Sequence, residues 1–270
     1  MQNHCTSSVR EIDAAELQQM LNRQKDYPPP LIIDVRQPQE YQQSHIPGAL
    51  LIPLGQLEVP HPALVNPARP TVVYCRSGKR SMAGAMILCR MGYQDLMSLK
   101  GGILGWHFET LSGPSRAVLS QEEANSVQDL LTLAMGREML AQGLYRQWSI
   151  ISKEEPVKKL LQELFFREAA HMDAIYNRYL SWCGENDTVP LDRDQLRAAA
   201  VSPEEEKTDA PFSSAEELLE LAVAREFEAY NFYRTSAELT SDEELRGLLF
   251  DLSFEERTHA SSLLHLLTDL

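Results

Sequence analysis

The sequence predicts two folds in one chain: an α/β domain over residues 1–115, with a parallel sheet and helices on both faces, and an all-α four-helix bundle over residues 116–270. Three observations predict this. In the first part, short apolar runs alternate with helical stretches, the pattern of buried parallel strands. The cluster Ser112-Gly113-Pro114-Ser115 then ends the alternation. Beyond it, a Glu followed thirty residues later by E-x-x-H occurs twice at an offset of 88, which marks two copies of one helix-pair unit.

Composition narrows the classes of function. A net charge of −14 argues against nucleic-acid or anionic-membrane partners, which need clustered Lys and Arg. No apolar run approaches the ~20 residues that cross a bilayer. Residues 1–10 are polar and lack the apolar middle of a signal peptide. The cysteines Cys5, Cys75, Cys89 and Cys183 are widely spaced and form no C-x-x-C, which fits a reducing cytoplasm and excludes a rubredoxin-type iron site.

Taken in order, Val9–Ile12 reads as a strand and Ala14–Arg23 as a helix. Leu31–Val35 is a buried strand after the Pro28-Pro29-Pro30 break. Gln37–Ser44 reads as helical and Ala49–Pro53 as extended. Thr71–Tyr74 is a β-branched strand, Ser81–Met91 a helix, Leu96–Leu99 a strand and Ile103–Thr110 a helix. Ligands of such sheets bind at the carboxyl ends of the strands.

One carboxyl end carries chemistry. Thr71–Tyr74 runs into Cys75-Arg76-Ser77-Gly78-Lys79-Arg80-Ser81, which opens a helix. Backbone N–H groups curled at a helix start cradle anions, and Gly78 permits the turn. The helix end with Arg76, Lys79 and Arg80 is expected to lower the Cys75 pKa and favour the thiolate. Such a thiolate can attack an electrophilic sulfur and keep it as a persulfide. Cys89, beside Met86, Ile87 and Leu88, reads as a packing residue.

Together with Leu31-Ile32-Ile33-Asp34-Val35-Arg36, Glu40-Tyr41, His45-Ile46-Pro47-Gly48-Ala49, Gly101-Gly102 and Trp106, this loop resembles a rhodanese domain over residues 10–110. The resemblance implies that Cys75 is the sulfur-carrying nucleophile. It also implies that the loop backbone, with Ser77, Gly78, Ser81 and Arg80, holds the persulfide and its anionic donor, and that Asp34 and Arg36 brace the loop. Six residues from Cys75 to Arg80 suit sulfur transfer; the related phosphatases carry a loop one residue longer.

After the linker, helices are expected near 121–151, 155–183, 213–239 and 242–269, with N-caps at Ser120 or Ser126 and a capping box at Ser241-x-x-Glu244. The acidic stretch 184–212 crosses between the pairs, with poor order expected around Ser202–Thr208. Glu138 and Glu168 lie equally far from residue 153, the middle of the first turn, and Glu226 and Glu256 equally far from residue 241. An antiparallel hairpin therefore brings each pair to one height, and His171 and His259, three residues on, share the face. Four carboxylates and two imidazoles then meet inside the repeated frame of Tyr145/Tyr233, Leu161/Leu249 and Leu164/Leu252. Unpaired carboxylates there would be severely destabilising, and two divalent cations would neutralise them. Oxygen-rich ligands with one imidazole each suit two iron ions, with manganese as the alternative. Glu163, Glu228 and Glu255 do not repeat as ligands and read as solvated.

Residues 120–270 resemble the rubrerythrin branch of the ferritin-like superfamily. By position, Glu138, Glu168, His171, Glu226, Glu256 and His259 match its metal ligands. Two departures matter: Ala229 stands where rubrerythrins commonly add a Glu, and the electron-supplying rubredoxin module is missing. The expected function is a cytoplasmic sulfurtransferase fused to a metal pair that reacts with dioxygen or peroxide. It would take a small sulfur donor, a thiol acceptor and an external electron donor, and would pair as a homodimer through helix faces. A metal-storage or persulfide-sensing protein is the rival reading.

Overall fold

A computed structural model describes residues 9–22, 29–61, 63–112, 126–200 and 212–270. The chain divides into two compact units, Met1–Ala117 and Val118–Leu270.

In the first unit, β1 (Arg10–Ile12), β2 (Leu31–Asp34), β3 (Leu50–Leu51), β4 (Thr71–Tyr74) and β5 (Leu96–Leu99) form one sheet in the order β1-β5-β4-β2-β3. Every pairing is parallel, with Leu31 opposite Thr71 and Thr71 opposite Leu96. Each residue of β2, β4 and β5 is buried, so these strands need apolar side chains on both faces. Helices α1 (Ala14–Leu21), α2 (Pro38–Gln43) and α3 (Lys79–Arg90) complete the unit. Gly84 of α3 lies so close to the sheet that a Cβ there would meet Leu57, Val35 and Val73 at 3.2–3.3 Å.

The expected helix over Ile103–Thr110 is not formed. A single 3-10 turn covers Gly102–Gly105, and Leu111 returns to bridge His45. The amides of Gly105 and Trp106 close the turn onto Gly101 O and Ile103 O, those of Ile103 and Leu104 donate to the loop after β4, and the backbone turns extended at Trp106. A second short 3-10 turn, Leu54–Gln56, had no sequence signal. Cys89 is buried on α3 as expected, and Cys75 and Cys183 are free thiols.

The second unit holds α4 (Val127–Ile151), α5 (Glu155–Glu185), α6 (Arg193–Ala200), α7 (Ala215–Leu239) and α8 (Glu243–Asp269). The helix starts repeat at the 88-residue offset, and α4 and α7 have the same length of 25 residues. Ser126 and Ser214 cap the two, accepting from the amides of Asp129 and Glu217. Pro156 sits in the first turn of α5. Asp242, not Ser241, caps α8 by accepting from Leu245, one residue later than the capping-box expectation. Helix α6 falls within the crossover and had no sequence signal; it buries Leu196 in a core with Leu131, Ile175, Tyr179, Tyr233 and Leu249. The Ser120 cap and the Ser202–Thr208 expectation lie outside the described residues. Among the described residues no helix is long and apolar enough to cross a membrane.

Candidate functional sites

Cys75 follows the last residue of the central strand β4, and its side chain turns inward against the start of α3. Gly78 is the residue before that helix, with φ of +96°, a conformation costly for any residue with a Cβ. Its amide donates to Cys75 Sγ at 3.2 Å, and Ser81 Oγ lies 3.8 Å from the sulfur. Ser81 is fixed in turn by Gly78 O at 2.9 Å and Ser98 Oγ at 2.9 Å. Burial alone would raise the thiol pKa. Hydrogen bonds from the amides of Ser81, Ser77 and Gly78, with the Ser81 hydroxyl, outweigh it and lower the pKa from 9.0.

The amides can face the sulfur because the loop carbonyls are held elsewhere. Ile103 N donates to Cys75 O at 2.8 Å and Leu104 N to Arg76 O at 3.1 Å. Gly102 makes this approach feasible: a Cβ there would stand 2.2 Å from Cys75 O and 2.6 Å from the Arg76 carbonyl carbon. The Gly101-Gly102 pair, which in the sequence served only as part of the family resemblance, is therefore part of the thiol site.

Three expectations about this loop change. The thiol is acidified by backbone amides and Ser81, whereas Arg76 and Lys79 are exposed cations at the rim. Arg80 is not a free anion ligand, because its guanidinium grips Glu40 in a two-pronged pair at 2.7 and 2.8 Å. Glu40 also accepts from Gln37 N at 3.1 Å in the first turn of α2, and its pKa falls to about 2, chiefly through Arg80. Asp34 and Arg36 pair with each other at 2.7–3.0 Å under nearly complete burial, and Arg36 also donates to Ser44 O at 2.6 Å. Their hydrogen bonds brace the end of β2 against the segment at Ser44, and Arg36 also lies over the ring of Tyr74, 5.6 Å from its centroid, directly before Cys75. Nearby, His45 stacks on Tyr41, and burial lowers its pKa to about 4.

In the second unit, Glu138 (α4), Glu168 and His171 (α5), Glu226 (α7), and Glu256 and His259 (α8) converge, none more than 3 % exposed. Three groups form: Glu138, Glu168, His171 and Glu256; Glu168, Glu226, Glu256 and His259; and, with one exposed member, His171, Glu255 and His259, with ligand atoms in each within 4.8 Å of one another. Glu168 and Glu256 belong to both of the first two, so each of these has a private Glu and a private His. His171 Nδ1 lies 3.2 Å from Glu138, 3.2 Å from Glu168 and 3.1 Å from Glu256. His259 Nδ1 lies 3.2 Å from Glu226 and 3.5 Å from Glu168 and Glu256. The imidazole planes are nearly parallel, 5.3 Å apart.

The tyrosines of the repeat cross over: Tyr145 of α4 donates to Glu226 of α7, and Tyr233 of α7 donates to Glu138 of α4. Burial, together with these carboxylates, holds both phenols well above their usual pKa, so they act as donors. Burial and the neighbouring Glu168 push the Glu138 carboxyl up to about 7, and burial with the other three carboxylates pushes Glu256 up as well. Burial opposes charging of His259, yet contacts with Glu168, Glu226 and Glu256 prevail and push it up to about 12.

The residues fit a metal centre on their own evidence. Both carboxylate oxygens of Glu168, one each of Glu226 and Glu256, and both ring nitrogens of His259 are buried without a hydrogen-bond partner. Native interiors rarely leave such groups unsatisfied, and these all belong to one pocket of ligand-type atoms. Glu255 departs from the sequence reading: although exposed, its carboxylate stands 3.0 Å from His171 Nε2. Its place beside Glu256 on α8 puts it within side-chain reach of α5.

Comparison with known proteins agrees with this division. A rhodanese-like domain family matches residues 13–109 and the rubrerythrin family residues 129–267. A sulfurtransferase of Allochromatium vinosum is 39% identical over 103 residues, covering 36% of this chain and 88% of that protein. The thiosulfate sulfurtransferase PspE of Escherichia coli is 40% identical over 70 residues, 26% of this chain and 67% of that protein. Two Bacillus subtilis relatives are spanned over 54% and 59% of their length. The crystal structure of a rhodanese-related protein from Thermoplasma volcanium is 25% identical over 38% of this chain and 97% of that chain, with a TM-score of 0.33. The chain belongs to the rubrerythrin family through residues 129–267 and carries a rhodanese-like domain at residues 13–109.

Proposed function

We propose that the chain is a sulfurtransferase working through a Cys75 persulfide, fused to a carboxylate centre for two iron ions. The sulfur half is carried by one observation: an acidified thiol facing the amide of Gly78 at the start of α3. The Cys75 thiolate attacks the outer sulfur of a donor such as thiosulfate. The S–S bond of the donor breaks, sulfite departs with the bonding pair, and Cys75 keeps the sulfur as a persulfide. A thiolate acceptor then attacks the terminal sulfur and regenerates the Cys75 thiolate. Amides of Ser77, Gly78 and Ser81 stabilise the anionic sulfur in both steps. Arg76 and Lys79 at the rim attract the anionic donor, and Arg80 joins them when it exchanges Glu40 for the donor.

For the other half, Glu138 with His171 would hold one cation, Glu226 with His259 the other, and Glu168 with Glu256 would bridge them. Iron held there supplies electron exchange with dioxygen or peroxide. The chain's own residues fix the centre: Tyr145 and Tyr233 each hold one oxygen of a terminal Glu, leaving the other oxygen to face inward. The apolar frame of Leu161, Leu164, Leu249 and Leu252 is buried and excludes water.

Thiosulfate with cyanide tests the sulfur half. The full-length chain is expected to form thiocyanate and Cys75→Ala to form none above background. Equal rates in both would overturn the nucleophile assignment.

A further inference from the structure

The repeat that builds the metal centre is broken at one position that touches it. Glu255 and Arg167 occupy equivalent places, each one residue before the Glu of its E-x-x-H and 88 residues apart. Glu255 reaches His171 Nε2 at 3.0 Å. Arg167 is exposed and, as a cation, offers no acceptor to His259. His259 Nε2 is buried without a hydrogen-bond partner. Both imidazoles turn Nδ1 toward the shared carboxylates, so a cation bound at Nδ1 leaves a proton on Nε2. On His171 that N–H meets the Glu255 carboxylate at 3.0 Å; a His259 ring nitrogen lies within 4.8 Å of the same carboxylate, but His259 Nε2 makes no hydrogen bond.

We propose that Glu255 is a positioning residue that makes the two cation positions unequal: by holding the Nε2–H of His171 it makes the Glu138–His171 position the tighter and first to fill. A carboxylate on the outer nitrogen fixes the tautomer, orients the ring and makes the ligating nitrogen more basic; loss of such a partner typically costs ~10–100-fold in metal affinity. The inference rests on the two-cation reading and adds an order of filling to it.

Cobalt(II) titrated without oxygen into the metal-free full-length chain, followed by its visible absorption and by calorimetry, tests this. Wild type is expected to bind two cobalt ions in steps separated by ~10–100-fold. Glu255→Ala should weaken the first step by that factor and merge the two. Glu255→Gln, which keeps an acceptor, should retain most of the separation. Arg167→Glu, which supplies the missing acceptor, should strengthen the second step. Both positions are exposed, so circular dichroism is expected to report an unchanged fold. Two equal steps in wild type, an unchanged first step in Glu255→Ala, or a Gln variant no better than Ala would overturn the positioning role alone. Fewer than two bound cobalt ions would instead overturn the two-cation reading beneath it.

Discussion

Cys75 has two faces, and the structure assigns each a different partner. Its sulfur takes the amide of Gly78, while its carbonyl is held by Ile103. The rate of Cys75 alkylation should therefore rise with pH through a midpoint below the ordinary thiol value of 9.0, and Ser81→Ala should move that midpoint up. An unchanged midpoint would contradict the role given to Ser81. Gly102→Ala should cost ~1–3 kcal/mol of domain stability, because a Cβ there meets Cys75 O at 2.2 Å and φ is +57°. Thermal unfolding measures the loss, and sulfur transfer should fall with it. The thiol, its loop and the glycines were legible in the sequence because turns and helix starts need particular residues at particular spacings. The origin of its acidity was not legible. Arg76, Lys79 and Arg80 are conspicuous in sequence, whereas amide direction depends on a turn some 25 residues further along, at Gly102–Gly105.

At the level of elements, pairs of side chains tie helices whose positions the sequence already implied. Arg80 on α3 holds Glu40 on α2 at about 2, below the ordinary 4.5. A lowered acid pKa stabilises the fold fully above 4.5 and loses that contribution as pH falls toward 2. The stability gap between wild type and Glu40→Gln should accordingly close over that range in acid titrations, and it should be small, since the pair is about one-third exposed. A gap independent of pH would contradict the pairing. In the bundle, Tyr145→Phe removes the donor to Glu226 and should destabilise the metal-free chain by ~1–3 kcal/mol in urea unfolding. Tyr233→Phe should do the same through Glu138, and the two costs should not simply add, since both act within one network. The limits of α7 and α8 follow from caps and an 88-residue repeat, so sequence located them within two residues, whereas α4 begins at Val127, after the Ser126 cap, rather than near 121. It missed α6, which is eight residues long and contributes one fully buried side chain, Leu196, to the core. It read Ile103–Thr110 as helix, although only a single turn forms at Gly102–Gly105 and the amides of Ile103 and Leu104 donate to the Cys75 loop.

For the whole molecule, the chain divides into two compact units; the 88-residue repeat revealed the second, and strand–helix alternation with the Cys75 loop revealed the first. The four carboxylates and two imidazoles were legible because the second copy of the repeat made chance implausible. Glu255 was not, since what marks it is a contact across helices rather than a recurring position. Removing metal should lower the unfolding temperature of the bundle, because a cation bound by the folded state alone stabilises it by mass action, while burying this cluster bare leaves carboxylates facing one another.

The central claim is that six side chains from four helices cage two cations through two shared carboxylates. Anaerobic iron(II) binding to the metal-free chain measures this most directly, with Glu168→Ala and Glu256→Ala compared against Glu138→Ala. Two irons per wild-type chain are expected, with both sites weakened by loss of either bridging residue and one site chiefly weakened by loss of Glu138. A wild-type chain that takes up no iron, or bridging variants that still bind two irons with undiminished affinity, would contradict it.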